Sequence, residues 1–169
     1  MFKVRVILDT EEDVIRTIKV SEKYNLEQLH EFIAKCFGFS GLEMASFYRT
    51  DDEWNQGEEI PLFDMSDSNT GITMKNYELD SILTTAGSKL IYIYDFMNMW
   101  AFYVELVEID TDAEASAPQV ILSVGEPPQK APDKQFVSDE EDNLGGDHVD
   151  DAFEDFDDYN DFYSDEYNL

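Results

Sequence analysis

Between Asp139 and Leu169 the chain carries fourteen acidic residues and no lysine or arginine. No other feature limits so strongly how much of the polypeptide can fold. The whole protein has 39 acidic and 11 basic residues in 169, a formal charge of −28. Removing the fourteen leaves 25 acids against 11 bases on residues 1–138, or −14, so half the net charge lies in the last 31 residues. Self-repulsion at that density opposes collapse, and a segment that does not collapse cannot offset the entropy lost on ordering. The division that follows is a folded body at 1–124, a Pro-rich linker at 125–138 and a disordered acidic, aromatic tail at 139–169. Gly125-Glu126-Pro127-Pro128 and Ala131-Pro132 mark the linker by breaking regular structure.

Within the body, Phe2, Val4, Val6 and Leu8 alternate with Lys3, Arg5 and Asp9, the period of a half-buried strand. A polar turn at Glu11-Glu12-Asp13 leads to a second strand from Val14 to Val20, making a hairpin. Asn25 then stands as an N-cap, with Gln28 at the capping-box position. Leu26, Leu29, Ile33 and Phe37 follow helical spacing, Phe32 and Cys36 widen the stripe, and Gly38 ends the helix. Strands are expected at 44–50, 89–94, 101–109 and 120–124. A short helical turn is expected in YELDSILTTAG, and a long irregular insertion at 51–76. Hairpin, helix, strand, excursion and strand is the order of a β-grasp. The predicted fold class is therefore α+β: a β-grasp-like mixed sheet with one face packed on one main helix.

Hydrophobic residues make up 43% of the chain, and aromatics 14%, which suffices for a core in the body. The acidic surface repels phosphate backbones, so direct nucleic-acid binding is not expected. It suits a basic protein partner or a mimic of nucleic-acid charge; solubility alone is the plainer explanation. The single cysteine, Cys36, excludes an internal disulfide and any multi-cysteine zinc site. No metal, other cofactor or catalytic residue is assigned. MFKVRVILDT lacks the apolar run of a signal peptide and no apolar run reaches membrane-spanning length, so the expectation is a cytoplasmic, non-membrane protein. Two acidic loop clusters, Asp51-Asp52-Glu53 and Asp64 with Asp67, lack calcium-loop spacing and read as solvated charge.

One stretch stands apart. YIYDFMNMW, residues 92–100, sets Asp95 among Tyr92, Tyr94, Phe96 and Trp100. On one reading Asp95 ends a strand and accepts turn amides while the aromatics cover the sheet. On another, burial raises its pKa and makes it the acid or base of a site shared with Trp100 and His30. His30, beside the apolar stripe of the helix, reads as an edge histidine bonded to the sheet or a loop. Cys36 reads as a small buried apolar group.

NLEQLHEFIAKCFGF, then FY, then LDSILTTAGSKLIYIYDF and a tryptophan, together resemble the plasmid pRiA4b ORF-three-like domain family, whose members also carry the description TnpR-like passenger proteins of insertion sequences. The resemblance covers about residues 2 to 130. Leu26, Leu29 and His30 match its helix motif, Gly38-Phe39 the Gly-aromatic end, and Tyr92, Tyr94, Asp95, Phe96 and Trp100 its second motif. Met97 stands where the family pattern has Gly, Asn98 where it has Asp, and Phe102 where it has His. Replacing that Gly implies an altered turn, because methionine does not tolerate positive φ. The resemblance makes His30, Tyr92, Tyr94, Asp95, Phe96 and Trp100 binding candidates, and implies no established activity.

In the tail, Phe153, Phe156, Tyr159, Phe162 and Tyr163 interrupt the acids. Docked on a basic surface with an apolar groove, such a segment is neutralised and folds; otherwise it only solubilises. The leading expectation is a non-enzymatic protein-interaction domain whose tail binds a basic partner. A nucleic-acid-mimicking inhibitor and an enzyme with a site around Asp95 are the alternatives.

Overall fold

The structure, a computed structural model, describes residues 1–67 and 71–133. The tail expected at 139–169, its disorder and its five aromatic candidates all lie outside the described residues, as does the end of the linker. Seven strands form one sheet: β1 (Phe2–Leu8), β2 (Val14–Val20), β3 (Ala45–Thr50), β4 (Gln56–Pro61), β5 (Lys89–Tyr94), β6 (Trp100–Ile109) and β7 (Gln119–Val124). Helix α1 (Leu26–Cys36) follows the first hairpin. A 3₁₀ turn (Met74–Asn76) and the short α2 (Leu79–Ile82) precede β5. The strand order is β4-β3-β5-β6-β1-β2-β7.

Every pairing in this sheet is antiparallel. The expected mixed sheet has strands from the two halves meeting in parallel. Instead β6 lies between them, and its two neighbours, β5 and β1, both run opposite to it. The reason is the tight turn at 95–99: a strand entered by a short turn pairs with the strand it has just left.

Helix α1 begins and ends as local chemistry dictates. The Asn25 side chain accepts from the Gln28 amide at 2.9 Å, and the Gln28 side chain accepts from the Asn25 amide at 3.0 Å. At the other end Gly38 adopts φ +77°, and Phe39 N–H donates to the Ala34 carbonyl at 2.8 Å. Gly38 N–H donates to Lys35 at 3.2 Å, completing a Schellman cap. The capped helix lays Leu26, Leu29, Ile33 and Phe37 on the sheet, all buried against Val4, Val6, Ile18, Tyr92, Phe102 and Val104. Burying four such side chains contributes on the order of 6–12 kcal/mol, an upper figure because unfolded chains already hide some apolar surface.

Two expectations need correction. The composition of 51–76 predicts an insertion irregular throughout, yet it contains β4. The sequence QGEEIP carries Gly, two Glu and Pro, turn-like by composition, and only Ile60 is buried. Ladder bonds to β3 hold it extended, and its charges suit a sheet edge. Second, the sheet is not apolar on the helix side alone. Ile91, Ile93 and Ala101 form a smaller cluster on the opposite face with Tyr48, Trp54, Met99 and Tyr103 packed on it.

Candidate functional site

The residues singled out in the helix and in YIYDFMNMW meet at the helix–sheet interface. Tyr92 and Tyr94 alternate with Ile91 and Ile93 along β5, so both tyrosines face α1. His30 comes from the same helix face as Leu26 and Ile33 and is only 1% exposed. Its Nδ1 lies 2.6 Å from the Tyr92 hydroxyl. Trp100, across from Tyr94 in the ladder, packs on Phe39 with ring centroids 4.9 Å apart. Tyr94 accepts from the Gly41 amide at 3.0 Å and shares a bond with Ser40 Oγ at 3.2 Å. Four of the six binding candidates, His30, Tyr92, Tyr94 and Trp100, thus sit in one buried aromatic cluster. Around it, Phe47 stacks on Tyr92 at 4.7 Å and Phe102 lies 5.3 Å from the same ring.

Burial favours the neutral forms of His30 and Tyr92. Burial pulls the His30 pKa below its ordinary 6.5, against opposing pulls from a backbone bond at Gly41 and from Glu31 and Glu27. Burial pushes Tyr92 well above its ordinary 10, with Tyr94 adding to the shift. His30 Nδ1 and the Tyr92 hydroxyl satisfy each other, with the imidazole tautomer setting which of the two donates. No buried side-chain nitrogen or oxygen lacks a partner among the described residues. The pair is a satisfied polar tie between helix and sheet. It lies beneath the helix: His30, expected at the edge of the apolar stripe with a bond to the sheet or a loop, stands within the buried helix face and bonds to the sheet. The structure also buries Cys36 enough to push its thiol up to about 11, away from the reactive range.

Asp95 and Phe96 do not join the cluster. They form the turn between β5 and β6, where Phe96 and Met97 face solvent. The Asp95 carboxylate accepts from the Met97 amide at 3.2 Å, the Asn98 amide at 3.3 Å and Asn98 Nδ2 at 2.6 Å. The Met97 substitution has less effect on the backbone than expected: the left-handed positions in this turn are Asp95 (φ 58°) and Met99 (φ 56°). Phe102, where the family pattern has His, is fully buried and packs edge-on against Phe37 at 4.9 Å. Asn98 donates to Asp95 at a contact where a second carboxylate would repel it.

An open cleft lies elsewhere. About 490 Å³ in volume, it is lined by Arg49, Asp51, Asp52, Thr85, Ser88 and Lys89, among others. It lies at the start of β5, one strand length (about 20 Å) from Asp95. Its cations are engaged: Arg49 Nε with Glu58 at 2.8 Å, and Lys89 Nζ with the Asp52 carbonyl at 3.0 Å. Among the described residues no three His, Cys, Asp or Glu side chains converge as metal ligands. None of the described helices is long and apolar enough to cross a membrane.

Sequence reasoning missed Arg16. It is buried, donates to the carbonyls of Cys36, Val124 and Gly125 at 3.3, 2.9 and 3.0 Å, and lies over the Phe37 ring at 5.1 Å. The one available signal was a charged residue on the inward-facing register of β2, between Val14 and Ile18.

The fold and site define an α+β domain in which a single capped helix is tied by a histidine–tyrosine bond to an antiparallel sheet. The chain belongs to the plasmid pRiA4b ORF-3-like protein family, whose model matches residues 1–132. It is similar in fold to the crystal structure of a protein of unknown function from Methanosarcina mazei Go1, with a TM-score of 0.55 and 18% identity over 72% of this chain and 68% of that one. No curated protein matches the chain.

Proposed function

We propose that this is a non-enzymatic protein-interaction domain, with body 1–124 and linker 125–138, whose acidic tail at 139–169 recruits a basic cytoplasmic partner. One observation supports the non-enzymatic reading above all. The chemistry-bearing residues of the two motifs are used internally: His30 and Tyr92 satisfy each other in the core, and Asp95 is held by three turn donors. A group so engaged is not free to move a proton to or from a substrate. The recruiting reading is supported by the −28 charge and by the aromatics that interrupt the tail's acids. The plasmid origin in the family's description suggests a setting among mobile elements. The strand order supports a β-grasp ancestry: without β6 and the edge strand β7 it becomes β4-β3-β5-β1-β2 with β5 and β1 co-directional.

The test is affinity capture from host lysate with the full chain and with a version ending at Asp133. A basic protein recovered only by the full chain supports recruitment. Equal recovery by both, or by neither, removes the tail's role. Mimicry of nucleic-acid charge is the second reading, favoured by the same density of acids. It requires that duplex DNA compete for the captured partner and that capture fall steeply with salt. An enzyme built around Asp95 would need that carboxylate released from its turn. Loss of an assayed activity on Asp95→Asn, with the fold intact, would reinstate it.

A further inference from the structure

The two edges of the sheet are built differently. β4 carries Glu58, Glu59 and Pro61, the charges and missing donor that discourage another strand from pairing. β7 has none of these. Its sequence, QVILSV, is uncharged and free of Gly and Pro, and every residue is exposed. Val120, Ile121, Leu122 and Val124 are 43%, 46%, 52% and 40% accessible. Among the described residues its neighbour in the sheet is β2 alone. An apolar edge of this kind, in a chain with so many acids available for protection, is a binding surface by the usual logic of sheet edges.

The strand is also held ready. At its C-terminal end Arg16 binds the Val124 and Gly125 carbonyls from beneath. Gly125 then turns at φ +66°, so close to Asp13 that a Cβ there would lie 2.2 Å from the Asp13 carbonyl oxygen. A bulge at Ile121 sets the register, with Val120 opposite Ile18 and Leu122 opposite Thr17. An edge fixed before binding has little ordering entropy left to lose.

Charge selects the occupant. The uncharged strand lies between Asp110, Asp112 and Glu114 before it, with Asp110 paired to Lys19 at 3.0 Å, and the exposed Glu126 after it, 4.0 Å from Arg16. A second copy pairing antiparallel through β7 would set Glu126 of each molecule toward the acidic segment of the other, and each copy carries −28. We infer that β7 accepts, as an eighth strand, an extended segment of a basic protein, apolar at its centre and bearing lysine or arginine at its ends. This rests on the interaction reading above and assigns it a second contact, on the body. Main-chain bonds supply most of the affinity, alternate apolar side chains the register, and the flanking charges the selectivity.

The test titrates the full chain against a fluorescent peptide of three Thr-Val repeats with two lysines at each end, read by anisotropy. Amide resonances are followed in parallel. The expected result is saturable binding, with shifts in residues 119–124 and 15–19. Binding should be at least tenfold weaker for Leu122→Lys and for the milder Leu122→Thr, at unchanged melting temperature. The same peptide with glutamates at its ends should bind at least tenfold more weakly. Equal binding by the Leu122 variants, or no binding, overturns the inference. Shifts confined to amides beyond residue 133 overturn it while leaving tail recruitment standing. Sedimentation showing a dimer that Leu122→Lys abolishes makes a second copy the occupant, and overturns it also.

Discussion

Replacing Tyr92 by phenylalanine removes one oxygen and little else. The Tyr92 ring stacks on Phe47 at 4.7 Å and lies 5.3 Å from Phe102, and a phenylalanine ring in its place would keep both contacts. What disappears is the 2.6 Å bond to His30 Nδ1. His30 is 1% exposed, so water has no route to replace the lost partner without opening the helix–sheet contact. A neutral hydrogen bond is worth about 1 kcal/mol net, and a buried polar group left unpaired costs about 1–3 kcal/mol. Tyr92→Phe should therefore destabilise by about 2–3 kcal/mol, roughly 6–12 °C in Tm for a body of this size. Removing both partners tests the mechanism. His30→Leu with Tyr92→Phe leaves no unpaired polar atom, so the double variant should recover at least 1 kcal/mol relative to the sum of the single changes. The assay is urea denaturation followed by tryptophan fluorescence, with Trp100 near the cluster as reporter. A single-variant loss under 0.5 kcal/mol, or strict additivity in the cycle, would refute the claim that this bond ties the helix to the sheet.

Three further outcomes follow. Burial lowers the His30 pKa, so below its ordinary 6.5 the unfolded chain binds a proton that the folded chain refuses; stability should be flat above that value and fall as pH drops toward the folded value, by at most about 1.4 kcal/mol per pH unit. Denaturation midpoints between pH 7.5 and 5.5 should slope in the parent and lose most of that slope in His30→Gln; His148, present in both, does not explain a difference. Gly125→Ala should cost about 2 kcal/mol or more, because its Cβ meets the Asp13 carbonyl at a positive φ, and amide exchange should accelerate first at 119–124. Arg16→Met gives up the guanidinium that lies over Phe37 and binds the Cys36, Val124 and Gly125 carbonyls, and should lower stability by about 2–4 kcal/mol by thermal melting; a neutral result would mean that water replaces the guanidinium there.

The parts of the site that could be read in advance were those with local causes. Asn25 and Gln28 are three residues apart, and their reciprocal bonds need nothing beyond the first helical turn. Gly38 is legible for the same reason. The aromatic character of 92–100 pointed to a cluster, and the family pattern marked His30 as its companion. That the two touch depends on a sequence separation of 62 residues, and periodicity carries no information on such a contact. Arg16 was illegible because its partners are backbone carbonyls, which every residue has. β4 was missed because Gln56–Pro61 buries only Ile60, leaving almost no apolar period to detect.

Local pattern thus determined the strands other than β4, where the helix would begin and end, and which helix face would be buried. Those properties follow from side-chain alternation and from caps, whose reach is at most one helical turn. Only the tertiary structure decided the sheet order, the placement of β6 between β5 and β1, and the place of β7 at the sheet's edge among the described residues. The reason is that an extended strand offers the same donors and acceptors to any neighbour. The choice among neighbours is made by turns, bulges and the competition for one helix-covered face, which are settled together when the chain closes.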